Sequence, residues 1–321
     1  MKVGFIGVGT MGRHMAANLQ KAGYELIVND LNKSAAESHI SNGATWADTP
    51  QALAQEADVV FTSLPGPPEM KAVALGENGL LAGMKKGSAY FDLSTNSPNN
   101  VREIHAEFAK NGVHLFDAPV SGGPRGAETG KLALWVGGDE EIFNKHKMVL
   151  DAIGDEALYV GAIGSGSIAK LVHNCSGYMI QTALAEVFTM GVKAGLEPLP
   201  LWEAVRKGSQ GRRRTYDGLS KNFLPGKFDP PNFALKLAHK DVFLATELAR
   251  EIGVPMRLAN LTLADMTEAL NRGWGDRDSR SATILQQERA GVEIKVSDED
   301  IKAAFERDPP LSDQPNRKHN Q

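Results

Sequence analysis

The sequence predicts two domains of different kinds: an α/β domain with a parallel sheet at its N-terminus, then an all-α domain, the two joined by a long helix. Three observations lead there. At 321 residues the chain is longer than the roughly 100–200 residues of one domain. Up to about Ile163, short apolar runs alternate with helical patterns, which indicates parallel strands covered on both faces. After Gly166 the strand signal disappears and only helical periodicity remains. The division expected is residues 1–163, residues 164–295 and a polar tail over 296–321.

The strands are read at Val3–Ile6, Leu26–Val28, Val59–Leu64, Ala89–Leu93, Val113–Phe116 and Leu132–Val136. Helices between them carry start signals at Thr49-Pro50 and Ser97-Pro98, a capping hydroxyl before proline at the first helical position. Gly112 is the stop for the helix after Pro98. From Ser167 to Ala194 there is no proline, and Ile168, Leu171, Val172, Cys175, Met179 and Leu184 recur at three- and four-residue steps. A helix of that length runs roughly 40 Å. Its polar residues Lys170, His173, Asn174, Gln181 and Glu186 exclude a lipid-facing reading, so it is read as a bridge between domains. Further helices are expected at Leu199–Lys207, Phe233–Ile252 and Met256–Asn271. Beyond Val296, charge and proline dominate, with one short helix capped by Ser297 and Asp300 and the remainder frayed.

Composition narrows the function. A hydrophobic share of 42% supports a buried core, and 35 basic against 39 acidic residues give a net charge of -4. That balance argues against a nucleic-acid or membrane-surface binder, which needs a basic face. The single cysteine, Cys175, excludes an internal disulfide framework and a cysteine-rich zinc module. No apolar run reaches 18 residues, and the glycine-rich start MKVGFIGVGT is unlike a signal peptide. A soluble, cytoplasmic protein is expected, with no nucleic-acid or membrane partner.

The strongest motif is Gly7-Val8-Gly9-Thr10-Met11-Gly12, which follows the first strand and opens a helix. Here the first glycine permits the turn, the second lets the backbone approach a pyrophosphate, and the third lets helix pack on strand. The second strand ends at Asn29-Asp30, with Asp30 18 residues after Gly12, where an acidic ribose ligand is expected. The motif therefore makes the first domain Rossmann-type, with Gly7, Gly9, Thr10, Met11, Gly12, Asn29 and Asp30 as cofactor-binding residues. The Asp30 carboxylate favours NAD over NADP by repelling a 2′-phosphate, although nearby Lys33 blunts that repulsion. Ser63-Leu64-Pro65-Gly66, Ser94-Thr95-Asn96 and Asp117–Gly123 also fall at carboxyl ends of strands, where ligands of open parallel sheets bind.

In order along the chain, GVGTMGRHMAANL, FDLSTNSP, FDAPVSGGPRGAETGKL, GSGSIAKLVHNC and HKDVFLA resemble the β-hydroxyacid dehydrogenase family. That family includes 3-hydroxyisobutyrate dehydrogenase and tartronate semialdehyde reductase, and the resemblance runs from Lys2 to about Ala290. It implies an NAD-dependent oxidoreductase transferring a hydride between the cofactor and a small 3-hydroxy carboxylic acid or the matching semialdehyde. It also implies that Leu64, Pro65 and Thr95 lie along the cofactor and that Ser121, Gly122 and Gly123 bind the substrate carboxylate. Lys170 matches the catalytic lysine, Asn174 its partner one turn later, and Lys240 closes over the nicotinamide side. The helical domain would complete the active site and supply the interface of a homodimer or homotetramer. A 6-phosphogluconate dehydrogenase-like enzyme and a catalytically retired nucleotide-binding scaffold are the alternatives. The first normally has a much longer helical domain, and retained Lys170 and Asn174 speak against the second.

The residue types suit these roles. Ser121-Gly122-Gly123 offers a hydroxyl and unobstructed N–H groups to an anion. Lys170 and Asn174, four apart, share a helix face. A lysine at the substrate hydroxyl takes its proton during oxidation and returns it during reduction. Burial near a positive ring brings lysine down from about 10.4 towards a value suited to that exchange. The bland alternative is a lysine on a solvated helix face. His173, turned a third of a helix away from Lys170, is read as a packing histidine. No spacing suggests a metal site. Arg212-Arg213-Arg214 is more basic than the family leads one to expect, and is read as a solvated charge run in preference to a reach for a doubly anionic substrate.

Overall fold

The computed structural model of the chain describes residues 1–208 and 215–307. Arg212, Arg213 and Arg214 and the proline-rich end of the tail lie outside the described residues. Two compact units, Met1–His173 and Asn174–Gln321, divide the chain.

In the first unit, strands β1 (Lys2–Ile6), β2 (Glu25–Asn29), β3 (Thr45–Trp46), β4 (Val59–Thr62), β5 (Ala89–Asp92), β6 (His114–Asp117), β7 (Val120–Ser121), β8 (Leu132–Gly137) and β9 (Gly154–Gly161) form one sheet. Its order is β3-β2-β1-β4-β5-β6-β8-β7, with β9 paired to β8. The pairings from β3 through to β6 are parallel. All six strands read from the sequence are present. The three unread ones have little signal: β3 and β7 are two residues each, and β9 opens with Gly154-Asp155. The expected parallel sheet also acquires antiparallel pairings, of β8 with β6 and β7. The link from Ser121 to Leu132 is shorter than the dozen or more residues a parallel crossover takes, so β8 returns antiparallel.

Alternate residues of the same strands enter two cores. Phe5, Phe61, Phe91 and Phe116 join α1 (Gly12–Lys21) and α7 (Glu140–Asp151), with Ala36 just before α2 (Glu37–Ser41). Ile6, Val60, Tyr90 and Leu115 join α3 (Pro50–Glu56), α4 (Pro67–Leu75) and α5 (Pro98–Lys110). The four phenylalanines stack from strand to strand at 6.3, 5.4 and 4.4 Å between ring centres. Burying each stabilises the unit by roughly 2 kcal/mol relative to exposure. Continuous apolarity in the sequence thus reports burial on both faces.

Of the two expected caps, the Thr49 hydroxyl accepts the Ala52 N–H at 3.1 Å. Ser97 occupies the N-cap of α5 but makes no side-chain capping bond. The expected Ser97 cap is thus corrected; its own N–H donates to Asn96 Oδ1 at 2.8 Å. Helix α5 ends at Lys110 and Gly112 turns the chain at a φ of +69°. A short α6 (Gly123–Glu128) precedes β8.

Helix α8 (Ser165–Lys193) carries the chain from the first unit's residues into the second's. The second unit adds α9 (Pro198–Lys207), α10 (Leu235–Glu251), α11 (Arg257–Asn271), α12 (Ile284–Ala290) and α13 (Asp298–Arg307), with no strand among its described residues. Its core gathers Leu184, Phe188, Trp202, Phe223, Ile301 and Ala304. Ser297 caps α13, its hydroxyl accepting the Asp300 N–H at 3.1 Å. This helix is held rather than loose, since Ile301 and Ala304 are buried. Among the described residues no helix is long and apolar enough to cross a membrane.

Candidate active site

The sheet order reverses at β1, so its carboxyl end and that of neighbouring β4 flank the switch point where such sheets hold ligands. Three glycines of the loop there have different reasons to be glycine. Gly7 turns at a φ of +89°, and a Cβ on it would lie 2.3 Å from the Ser63 carbonyl oxygen. A Cβ on Gly12 would sit 1.8 Å from the Gly7 carbonyl oxygen. A Cβ on Gly9 would meet nothing within 4 Å, so the protein itself does not require glycine there and the surface is open to a close ligand. Helix α1 begins at this loop with Met11 at its N-cap and no side-chain cap, leaving its N-terminus to an anion. Thr10 is exposed beside it. This loop fits a dinucleotide pyrophosphate.

Asp30 follows β2 and accepts the Val8 N–H at 2.8 Å and the Asn32 N–H at 2.9 Å. Its carboxylate therefore fixes the glycine loop and retains lone pairs for ribose hydroxyls. Asn29 works within the fold. Its amide donates to the Ala47 carbonyl at 2.9 Å, and its own carbonyl accepts the Gly7 N–H at 3.0 Å. Lys33 stands with its ammonium 5.2 Å from the centre of the Trp46 ring.

Beyond β4 and β5, Leu64 and Thr95 are half-buried and Pro65 is exposed. Buried Asp92 ties these loops together. It accepts the Thr62 and Ser94 hydroxyls at 2.8 and 2.6 Å and the Asn96 amide at 3.2 Å. The Ser94 hydroxyl in turn accepts the Leu64 N–H at 2.9 Å. Burial pushes the Asp92 carboxyl upward, and these donors oppose the rise.

After β6 the structure joins several expected residues. Lys170 is buried, and its Nζ donates to the Val120 carbonyl at 2.8 Å. Ser121 follows, then Gly122 and Gly123 at φ of +138° and +61°. The Ser121 hydroxyl and His173 Nε2 lie 3.1 Å apart. His173 also packs on Trp135 at 5.1 Å between ring centres. It is thus a packing histidine with a hydrogen-bond partner, as read from the sequence, and one turn of α8 brings it to the same loop as Lys170. Burial first, and then the Lys170 charge, hold His173 below its ordinary pKa.

In the second unit, Asn174 and Lys240 are brought together by Asp241. The Asn174 amide donates to Asp241 Oδ2 at 2.7 Å, and the Lys240 ammonium is 3.1 Å from Oδ1. Asp92 and Asp241 lie inside the motifs quoted above, yet nothing in their spacing assigns them these partners. Among the described residues no group of three or more His, Cys, Asp or Glu side chains is arranged to hold a metal ion.

Comparisons with known proteins show the family. The family described as the NAD-binding domain of 6-phosphogluconate dehydrogenase matches residues 2–161. That described as NAD-binding of NADP-dependent 3-hydroxyisobutyrate dehydrogenase matches residues 164–285. The chain is 33% identical over 294 residues to 2-(hydroxymethyl)glutarate dehydrogenase of Eubacterium barkeri, covering 92% of this chain and 97% of that protein. It is 34% identical over 282 residues to the NAD-dependent L-serine dehydrogenase of Pseudomonas aeruginosa, covering 86% and 95%. The crystal structure of 3-hydroxyisobutyrate dehydrogenase from Salmonella typhimurium superposes with a TM-score of 0.78 at 28% identity, over 89% of this chain and 99% of that one. With both halves of the chain matched in order and the relatives aligned over nearly their whole length, the chain belongs to the β-hydroxyacid dehydrogenase family, NAD(P)-dependent oxidoreductases acting on a CH–OH group.

Proposed function

We propose that the chain interconverts a small 3-hydroxy carboxylic acid and its semialdehyde, with NAD as cofactor and Lys170 as the acid/base. The observation that carries this reading is the buried Lys170 ammonium, held 2.8 Å from the Val120 carbonyl and next along the chain to Ser121-Gly122-Gly123. A hydroxyl, two glycines and a nearby cation suit a substrate that carries both a carboxylate and a hydroxyl. When bound, NAD would supply the acceptor for the hydride of the carbinol carbon in the oxidative direction. In that direction Lys170 Nζ enters as the neutral amine and takes the hydroxyl proton to become the ammonium; in the other the ammonium gives that proton back. Asn174, its amide oriented by Asp241, directs the substrate oxygen. Gly7, Gly9, Thr10, Met11 and Gly12 hold the pyrophosphate, with Leu64, Pro65, Thr95 and Lys240 along the rest of the cofactor.

Asp30 supports NAD in preference to NADP. It already anchors two backbone N–H groups, and its negative charge opposes a 2′-phosphate. Lys33, the nearest cation in sequence, is stacked on Trp46. The test is a panel of small hydroxyacids with each cofactor, followed by absorbance of the reduced nicotinamide. We expect turnover of a 3-hydroxy acid, a higher kcat/KM with NAD, and a narrower gap in Asp30→Ala. A tenfold preference for NADP would contradict the role of Asp30, and turnover confined to 2-hydroxy acids would contradict the substrate class.

A further inference from the structure

Asp117, the last residue of β6, is buried and has no role in the chemistry so far. Its Oδ1 accepts the Gly164 N–H at 2.8 Å and its Oδ2 the Ser167 N–H at 2.6 Å, so one carboxylate closes the first turn of α8. Two glycines make room for it. A Cβ on Gly137 would lie 2.4 Å from Asp117 Oδ1, and one on Gly166 would lie 2.5 Å from the Asp117 carbonyl oxygen. Three residues on, the Val120 carbonyl receives Lys170; one further, Ser121 meets His173. The segment from Asp117 to Ser121 is thus pinned to the opening turns of α8 at three points, and Lys170 is the middle one.

Capping alone does not explain a buried carboxylate. Serine, threonine or asparagine caps a helix without placing a charge in the interior. Burial pushes the Asp117 carboxyl up to about 6, so the fold tolerates an unfavourable group at this position. What the carboxylate adds is a two-pronged, charge-assisted grip on N–H groups three residues apart, which fixes both rotation and translation of the helix start.

We propose that Asp117 is a positioning residue for the reaction, setting Lys170 on α8 against the Ser121-Gly122-Gly123 loop. This rests on the reading of Lys170 as the acid/base. The experiment is a cycle of Asp117→Asn, Lys170→Ala and the double variant, measuring kcat, KM and NAD affinity. Asp139→Asn serves as a control, since Asp139 caps α7 by accepting the Ile142 N–H at 3.0 Å. We expect Asp117→Asn to lower kcat by about tenfold or more, with the NAD Kd within about threefold and the control within about twofold of the unmodified protein. In the Lys170→Ala background the same change should lower residual turnover by less than about twofold, the non-additivity of residues acting as a unit. An equal loss in both backgrounds would overturn the proposal, because Asp117 would then act on the fold and not through Lys170. If Lys170→Ala alone leaves turnover unchanged, the acid/base reading fails and the proposal falls with it, whatever Asp117→Asn does. Asp117→Ser, which keeps a neutral acceptor, carries the same comparison should Asp117→Asn not fold.

Discussion

Gly9 and Gly12 are three residues apart in one loop, yet alanine should act on them in opposite ways. At Gly12 the added carbon would collide with the Gly7 carbonyl at 1.8 Å, and backbone cannot swing aside as a flexible side chain can. Gly12→Ala should therefore cost about 1–3 kcal/mol of stability or more, the range of an overpacked site. At Gly9 the carbon would enter open space. Gly9→Ala should leave the melting temperature within about 2 °C, while NAD binds roughly tenfold more weakly, about 1.4 kcal/mol. Thermal denaturation and NAD titration on both variants check this; unchanged NAD affinity in Gly9→Ala would contradict the cradle. The motif and its spacing single out these glycines and Asp30 in the sequence, and the family resemblance singles out Lys170. Asp92, Asp117, Asp241 and the contact of His173 with Ser121 are not singled out, because each involves a partner 30 to 67 residues away that no local pattern supplies. A buried carboxylate at the end of an apolar strand is the one signal that would flag Asp92 and Asp117.

Among the elements, those that are long and periodic are legible in the sequence and the brief ones are not. Helix α8, expected over Ser167–Ala194, runs over Ser165–Lys193. By contrast β7, two residues long, lies beyond any periodicity argument, although it leads from Asp117 into Ser121-Gly122-Gly123. The anchoring of α8 by Asp117 has a pH signature. Because burial raises this carboxyl to about 6, the folded chain binds its proton more tightly than the unfolded chain does. Its contribution to stability is therefore full below the ordinary carboxylate range and is lost as pH rises through about 6. A displacement of that size corresponds to roughly 3 kcal/mol. The unfolding free energy of the unmodified protein minus that of Asp117→Asn should fall by up to this amount between about pH 4 and pH 7. Urea unfolding of both proteins across that range measures it, and a difference that stays level or grows with pH would contradict the burial argument.

At the scale of the whole molecule, the sequence shows where the sheet ends and the helical region begins, because continuous apolar strands and amphipathic helices differ in period. It does not show that part of the expected polar tail, α13, is held in the second unit's core by Ile301 and Ala304. That unit leaves Ile180, Val187 and Met190 of α8 and Leu258 and Leu261 of α11 exposed. The family resemblance implies that this helical region supplies a subunit interface, so we expect a homodimer or homotetramer, with these residues as candidates for it. Light scattering should give two or four times 34.5 kDa, and only the monomer mass at micromolar concentration would contradict it. The central claim concerns Lys170, and it is tested by measuring turnover and NAD affinity of Lys170→Ala side by side. The account predicts kcat lower by roughly 10²–10⁴-fold with NAD affinity nearly unchanged, since a positioned acid/base contributes to the step and not to holding the pyrophosphate. Turnover within about threefold of the unmodified enzyme, on a substrate it demonstrably uses, would contradict it.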